Sequence, residues 1–127
     1  MKLLLDTHTF LWFINDNPKL SATALALLES DHAVLLSTAS LWEIAIKYSL
    51  GKLNLSSSYE EFITQQILRT DIDVLSIQIS HLTTVSRLPF HHRDPFDRML
   101  IAQSIVEDVP LLSADSIFDA YPIKRLW

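Results

Sequence analysis

Four carboxylates of this 127-residue chain stand where apolar segments begin or end: Asp6, Glu43, Asp97 and Asp115. Asp6 closes the run KLLLD and Asp115 closes LLSAD, so both follow predicted strands. Glu43 and Asp97 lie near the starts of predicted helices. Four carboxylates that converge would repel one another, and a divalent cation relieves that repulsion. Oxygen ligands alone suit Mg²⁺ or Mn²⁺ rather than zinc, and such metals support hydrolysis of a phosphodiester bond.

The elements that must position these acids alternate between strand and helix. Unbroken apolar runs predict strands at 2–6, 33–37, 73–77 and 110–114, with a weaker one at 123–126. Helical patterns fall at 9–15, 21–30, 40–51, 56–69, 79–87 and 94–107, with a helical turn at 116–120. Apolar strands that alternate with helices predict an α/β fold with a mostly parallel sheet of four to five strands, covered on both faces in three layers. We expect one domain over residues 1–127.

Ligands of such sheets bind beyond the carboxyl ends of the strands, where the following helices also begin. The stretch HHRDPFDRMLIAQ (91–103) is therefore informative. Asp94 precedes Pro95, and proline is favoured at the first helical position, so Asp94 is predicted to be the N-cap. Asp97 then lies in the first turn, on the stripe of Ile101 and Ile105 that should face the sheet. We expect Asp97 in the site, with Asp94 mainly structural and at most a neighbour of the substrate.

Glu43 has two interpretations. The pattern Ser40-x-x-Glu43 is typical of a capping box, which would give Glu43 a structural role. The surrounding helix is apolar nearly all round, however, and a carboxylate there needs a partner. Lys47, four residues on, can pair with Glu43 or contact a phosphate of a substrate, and the sequence leaves both open.

Other polar residues near the acids are weaker candidates. Asp115 could simply cap the turn at 116–120, and Ser113 lies two residues before it on the same strand face. His8, close to Asp6, could approach a metal-bound water. The loop residues His91, His92 and Arg93 are predicted to be solvated and outside the metal site, with RNA contact as the lesser alternative. Three aromatic residues are expected in the core or a dimer contact rather than stacking on bases: Trp12, Phe13 and Trp42.

Composition limits the classes of function. The net charge of −5 argues against a protein that simply coats nucleic acid, but it suits an enzyme whose carboxylates hold metal ions. The chain has no cysteine, which excludes disulfides and thiolate metal sites. No apolar run approaches the length of a membrane span, and the N-terminus lacks the pattern of a signal peptide. We expect a soluble cytoplasmic protein with no membrane partner.

Four segments together resemble the PIN-domain family, in particular the short VapC-like toxins of bacterial toxin–antitoxin pairs. They are LLLDTHTFLW (3–12), SLWEIAIKYSLGKL (40–53), DPFDRMLIAQ (94–103) and LLSADSIF (111–118), which cover nearly the whole chain in order. The resemblance implies an endoribonuclease that binds Mg²⁺ or Mn²⁺ through Asp6, Glu43, Asp97 and Asp115, with Ser113 near the fourth acid. It also implies a homodimer and inhibition by a cognate antitoxin.

Two other functions compete with this one. A PIN-like fold can act as a non-catalytic interaction module, although intact acids at all four positions disfavour that reading. A phosphotransfer enzyme with Asp6 as nucleophile would need a second aspartate two residues on, where this chain has His8.

Overall fold

A computed structural model describes all residues from 1 to 127. The strands are β1 (Lys2–Leu5), β2 (Ala33–Ser37), β3 (Asp73–Leu75), β4 (Leu111–Leu112) and β5 (Arg125–Leu126). The helices are α1 (Thr7–Ile14), α2 (Ala22–Glu29), α3 (Thr38–Ser49), α4 (Tyr59–Thr70), α5 (Ile79–Arg87) and α6 (Pro95–Glu107), with a 3₁₀ helix at Ser116–Ala120. None of these helices has the length and apolar character needed to cross a membrane.

The five strands form one parallel sheet in the order β3-β2-β1-β4-β5. Strand β1 is central, and Leu5 pairs with Leu36 of β2 on one side and Leu112 of β4 on the other. The carboxyl ends of these three strands therefore meet at one edge of the sheet. The residues that follow them, including Asp6 and Ser113, lie at that edge.

Helices cover both faces of the sheet, which confirms the predicted α/β fold with three layers. On one face, α1 to α4 pack on β1, β2 and β4 around Phe10, Ile44 and Phe62. On the other face, α6 and the 3₁₀ helix pack on β1 and β4 around Leu100 and Phe118, with α5 at the margin. Both faces of β1 are buried, as its unbroken apolar sequence predicted.

Helix α3 starts earlier than its sequence suggested. Its N-cap is Ser37, the last residue of β2, whose hydroxyl oxygen accepts a hydrogen bond from the backbone N–H of Ala39. The capping-box interpretation of Ser40 and Glu43, one of the two that the sequence left open, is therefore wrong. Ser40 is fully buried inside the helix, and Glu43 lies in its second turn. The strand runs directly into the helix because Ser37 is still paired with β3.

The end of α3 agrees with the sequence. Gly51, the only glycine, adopts a left-handed backbone with φ of 72°. Its N–H donates to the carbonyl of Tyr48, and the N–H of Lys52 donates to that of Lys47, which is the Schellman pattern. Glycine is favoured at this position because it lacks the Cβ that makes a left-handed backbone costly.

Candidate metal centre

Asp6 is held rigidly at the carboxyl end of β1. Its side chain is almost fully buried, and both of its oxygens accept hydrogen bonds. Oδ1 accepts from the backbone N–H of Thr9 at 2.8 Å, which makes Asp6 the N-cap of α1. Oδ2 accepts from the hydroxyl of Ser113 at 2.6 Å, a contact between β1 and the end of β4. The carboxylate thus has one defined orientation before any ligand binds.

The two aspartates at the start of α6 make different contacts, and the predicted N-cap at Asp94 is confirmed. Asp94 is the N-cap, and its Oδ1 accepts from the backbone N–H groups of Phe96 and Asp97 at 2.8 and 3.2 Å. Asp97 lies in the first turn and leaves its own side chain available for other contacts. Desolvation raises the pKa of Asp97 to about 6; the nearby carboxylates of Asp94 and Asp6 add to the rise, and His92 opposes it.

His92 is the site residue that the sequence reasoning missed. Its Nε2 lies 2.7 Å from Oδ2 of Asp97, and its side chain is only 15% exposed. The prediction of a solvated loop is therefore wrong for His92. No short-range pattern indicates this pair, because the loop that carries His92 is fixed in part by Tyr121, 29 residues later.

Asp115 completes a close group at this edge. Possible ligand atoms of His92, Asp97 and Asp115 all lie within 4.8 Å of one another. Asp115 is exposed and caps the 3₁₀ helix, with Oδ1 accepting from the N–H of Ile117 at 3.1 Å, which is the structural role that the sequence offered as an alternative to metal binding. The hydroxyl oxygen of Ser113 accepts from the N–H of Asp115 while that hydroxyl donates to Asp6. Ser113 therefore links the side chain of Asp6 to the backbone of Asp115.

Glu43 approaches the site from α3 with its charge already paired. Its Oε2 lies 3.2 Å from Nζ of Lys47, so the predicted ion pair four residues apart is present. Its Oε1 lies 2.7 Å from the hydroxyl of Thr7, the residue next to Asp6. That hydroxyl also lies 2.9 Å from the buried hydroxyl of Ser40. Glu43 is thus linked to β1 through Thr7, but it is not a member of the close group of ligand atoms.

Two of the remaining candidates lie away from the acids. His8 is exposed and packs on the ring of Trp12, with centroids 5.9 Å apart, and makes no hydrogen bond to a carboxylate. Trp12 in turn packs on Trp127. Trp42 is 62% exposed and meets Phe96 edge to face at 5.2 Å, so it is not a core residue of this chain.

The balance of charge at this edge suits a hard divalent cation. Asp6, Asp97 and Asp115 form no ion pair with a lysine or an arginine, and Lys47 pairs only with Glu43. Desolvation raises the pKa of Asp97, so its negative charge is disfavoured at this position unless a cation offsets it. Carboxylate oxygens are the ligands that Mg²⁺ and Mn²⁺ favour. Asp97 and Asp115 belong to the close group of ligand atoms that could hold such an ion, and Asp6 and Glu43 are further acids at the same edge that lie outside that group.

The chain belongs to the PIN domain family, whose model matches residues 3–124. Members of this family are generally nucleases. A search of curated proteins found no match.

Solved structures share this fold at low sequence identity. A VapBC2 complex from Rickettsia felis, bound to a DNA fragment from its promoter, matches with a TM-score of 0.75, 16% identity and coverage of 99% of this chain and 98% of that chain. VapBC-1 from nontypeable Haemophilus influenzae matches at 0.69, with 17% identity and 99% and 97% coverage. A toxin–antitoxin complex from Klebsiella pneumoniae matches at 0.64, with 15% identity and 98% and 96% coverage.

Proposed function

We propose that this protein is a metal-dependent endoribonuclease in which Asp6, Glu43, Asp97 and Asp115 hold Mg²⁺ or Mn²⁺. The observation that carries the proposal is the set of carboxylates at the carboxyl edge of the sheet, of which only Glu43 forms an ion pair with a lysine or arginine. Asp97 has a pKa raised to about 6, and neither Asp6 nor Asp115 has a lysine or arginine partner. Membership of a family of nucleases supports the same reaction class.

Three of the four acids have a side-chain neighbour that restricts their direction. Ser113 holds Asp6, Thr7 holds Glu43, and His92 holds Asp97. Carboxylates oriented in this way need little rearrangement to accept a cation or the water beside it. When bound, the metal would supply the charge that activates water and stabilises a phosphodiester during in-line displacement. Ligand atoms of Asp97 and Asp115 already lie within 4.8 Å of each other, and Asp6 and Glu43 would complete the proposed set from outside that close group.

Cleavage of RNA by purified protein tests the proposal directly. We expect fragments from a mixed RNA substrate in Mn²⁺ or Mg²⁺, none with a chelator present, and none with Asp6→Asn. Equal cleavage by Asp6→Asn and the unaltered protein would contradict the metal site. A non-catalytic interaction module is distinguished by calorimetric titration with Mn²⁺, because such a module should show no binding that depends on Glu43 or Asp97.

We also propose that the nuclease is the toxin of a toxin–antitoxin pair and acts on cytoplasmic RNA. The support is the fold that it shares with chains of VapBC and toxin–antitoxin complexes. Growth arrest on expression, relieved by the product of an adjacent small gene, is the expected result. Arrest that persists in the Asp97→Asn variant would contradict a toxicity based on RNA cleavage.

We also propose that the chain forms a homodimer. An apolar cleft of about 220 Å³ lies between α3, α5 and α6, and it is lined by Ala39, Trp42, Ile77, Val85, Pro95, Phe96 and Met99. An exposed tryptophan beside a cleft of this kind is typical of a protein contact, and we assign it to a second copy of the chain. Analytical ultracentrifugation should give a dimer that Trp42→Glu weakens and the control Leu68→Glu, at an exposed residue of α4, does not. A monomer at all concentrations would contradict the dimer.

A further inference from the structure

We propose that His92 is a positioning residue that orients Asp97, rather than a ligand of the metal, and that Arg98 holds His92 in place. The inference rests on the proposed metal site, because it gives a role to a residue next to one of its acids. Proximity alone would make His92 a third ligand beside Asp97 and Asp115. The hydrogen bonds of its ring argue for the other role.

Both ring nitrogens of His92 are already engaged. The backbone N–H of Arg93 donates to Nδ1 at 3.1 Å, so Nδ1 must carry a lone pair. In a neutral ring the hydrogen is then on Nε2, which donates it to Oδ2 of Asp97 at 2.7 Å. A nitrogen that carries a hydrogen has no lone pair for a metal. His92 therefore fixes one oxygen of Asp97 and leaves the other oxygen to bind.

Arg98 determines where His92 lies. Its guanidinium is almost fully buried and makes no ion pair with a carboxylate. It donates instead to four backbone carbonyls in the segment before α6. Nη1 donates to the carbonyls of Pro89 and His92 at 2.9 and 3.2 Å. Nη2 donates to the carbonyls of Val85 and Leu88 at 3.2 Å each. A buried cation is costly unless its donors are used, so these bonds favour one path of the loop.

Tyr121 anchors the same loop from the other side. Its hydroxyl donates to the carbonyl of Pro89 at 2.7 Å and accepts from the backbone N–H of His92 at 3.0 Å. The ring of Phe118 lies edge to face against the His92 ring, with centroids 5.9 Å apart. The path of the loop and the plane of the imidazole are thus both fixed by contacts outside the metal site.

The nitrogen resonances of the His92 ring in the metal-free protein test the first half of the proposal. We expect the neutral ring to carry its hydrogen on Nε2, and we expect the signal of that hydrogen to shift in Asp97→Asn. A ring with its hydrogen on Nδ1 would overturn the assignment. This measurement needs neither metal nor RNA, so it remains decisive even if the protein cleaves nothing.

Two conservative replacements separate positioning from ligation. Glutamine places an amide N–H near the position of Nε2, whereas asparagine places one near Nδ1. We expect His92→Asn to weaken Mn²⁺ binding and lower kcat by about 10- to 100-fold, as loss of a group that orients a metal ligand does. His92→Gln should restore most of both. Electron spin echo spectra of bound Mn²⁺ should show no nitrogen coupling that depends on His92. Such a coupling, or failure of glutamine to rescue, would overturn the proposal.

A double-mutant cycle tests whether Arg98 acts through His92. Arg98→Met should lower Mn²⁺ affinity and kcat in the unaltered protein but have no further effect on either when His92 is already asparagine. Arg98→Met should also lower the thermal stability, and this loss should occur in both backgrounds. Arg69→Met, at an exposed arginine of α4, is the control and should change neither property. Equal losses of Mn²⁺ affinity in both backgrounds would overturn a role through His92.

Tyr121→Phe provides a milder route if Arg98→Met does not fold. It removes only the hydroxyl that bonds Pro89 and His92 and leaves Arg98 intact. We expect a smaller loss of Mn²⁺ affinity than in Arg98→Met. This loss should not occur when His92 is already asparagine. A loss of Mn²⁺ affinity of the same size in the His92→Asn background would overturn the proposal, because the hydroxyl would then act on the metal site by a route other than His92.

Discussion

The two helices that bring acids to the site differ in how they balance charge. Glu43 on α3 has a lysine one turn later, and Nζ of Lys47 lies 3.2 Å from its carboxylate. Asp97 on α6 has no such partner and faces the carboxylates of Asp94 and Asp6, with His92 as its only compensation. Desolvation first, and then these two carboxylates, raise the pKa of Asp97 to about 6. The negative charge that a bound cation would offset is therefore mainly that of Asp97, on α6.

The largest expected effect comes from removing the negative charge of Asp97. Asp97→Asn keeps the size of the side chain and can still accept from His92, but it loses a proposed metal ligand. Metal-ion stabilisation is worth several kcal/mol, which corresponds to a fall of about 10² to 10⁴ in kcat/KM. Steady-state cleavage of a defined RNA in Mn²⁺ measures this loss, and circular dichroism checks that the fold is retained.

Asp94→Asn is the matched control three residues earlier. Asparagine is as good an N-cap as aspartate, so α6 should begin at the same residue. We expect kcat/KM to change by less than about threefold. No proposed metal ligand is lost, and replacing aspartate by asparagine at an N-cap changes stability by only tenths of a kcal/mol. If Asp94→Asn is the more damaging variant, the roles assigned to the two aspartates are reversed.

The pH dependence of stability should show the next largest difference. The pKa of an unperturbed aspartate is about 3.9, and that of Asp97 in the folded protein is about 6. The folded state therefore binds a proton more tightly than the unfolded state, and stability should fall as pH rises from about 4 to about 6. The shift corresponds to at most about 3 kcal/mol, reduced because the side chain is partly solvated.

Denaturant unfolding of metal-free protein at several pH values measures this effect. Asp97→Asn should match the unaltered protein below about pH 4 and exceed it in stability above about pH 6. Addition of Mn²⁺ should restore stability to the unaltered protein alone, since the cation favours the charged carboxylate. A difference between the two proteins that does not change with pH would contradict the raised pKa.

Ser113→Ala should have a smaller effect, spread over two acids. The hydroxyl donates to Asp6 and accepts from the N–H of Asp115, so alanine leaves a buried carboxylate oxygen without its donor. Loss of such a bond costs about 1–3 kcal/mol of stability. We expect weaker Mn²⁺ binding as well, because Asp6 loses its fixed direction. Calorimetry of both unfolding and Mn²⁺ binding provides the measurement, and Ser113→Thr, which keeps the hydroxyl, is the control. Unchanged Mn²⁺ affinity in Ser113→Ala would show that Asp6 does not depend on this bond.

The sequence predicted the features of the site that depend on short-range patterns. The Asp94-Pro95 pair locates the start of α6, and apolar runs that end in Asp6 and Asp115 locate two strand ends. The start of α3 was missed because Ser37 and Ser40 are both suitable caps. The choice depends on the pairing of Ser37 with β3, a contact between residues far apart in the sequence. His92 was missed because Tyr121, 29 residues later, helps to fix its loop.

The smallest effect tests the charge pair that distinguishes α3 from α6. Lys47→Met keeps the apolar stem but removes the ammonium group, and a partly exposed ion pair of this kind contributes less than about 1 kcal/mol. Without the ammonium group of Lys47, the negative charge of Glu43 is no longer offset. Mn²⁺ should therefore bind somewhat more tightly. If Lys47 also contacts phosphate, KM for RNA should rise while kcat changes little. Weaker Mn²⁺ binding in Lys47→Met would mean that the lysine holds Glu43 in its binding direction, and the contrast between the two helices would then be one of geometry rather than charge.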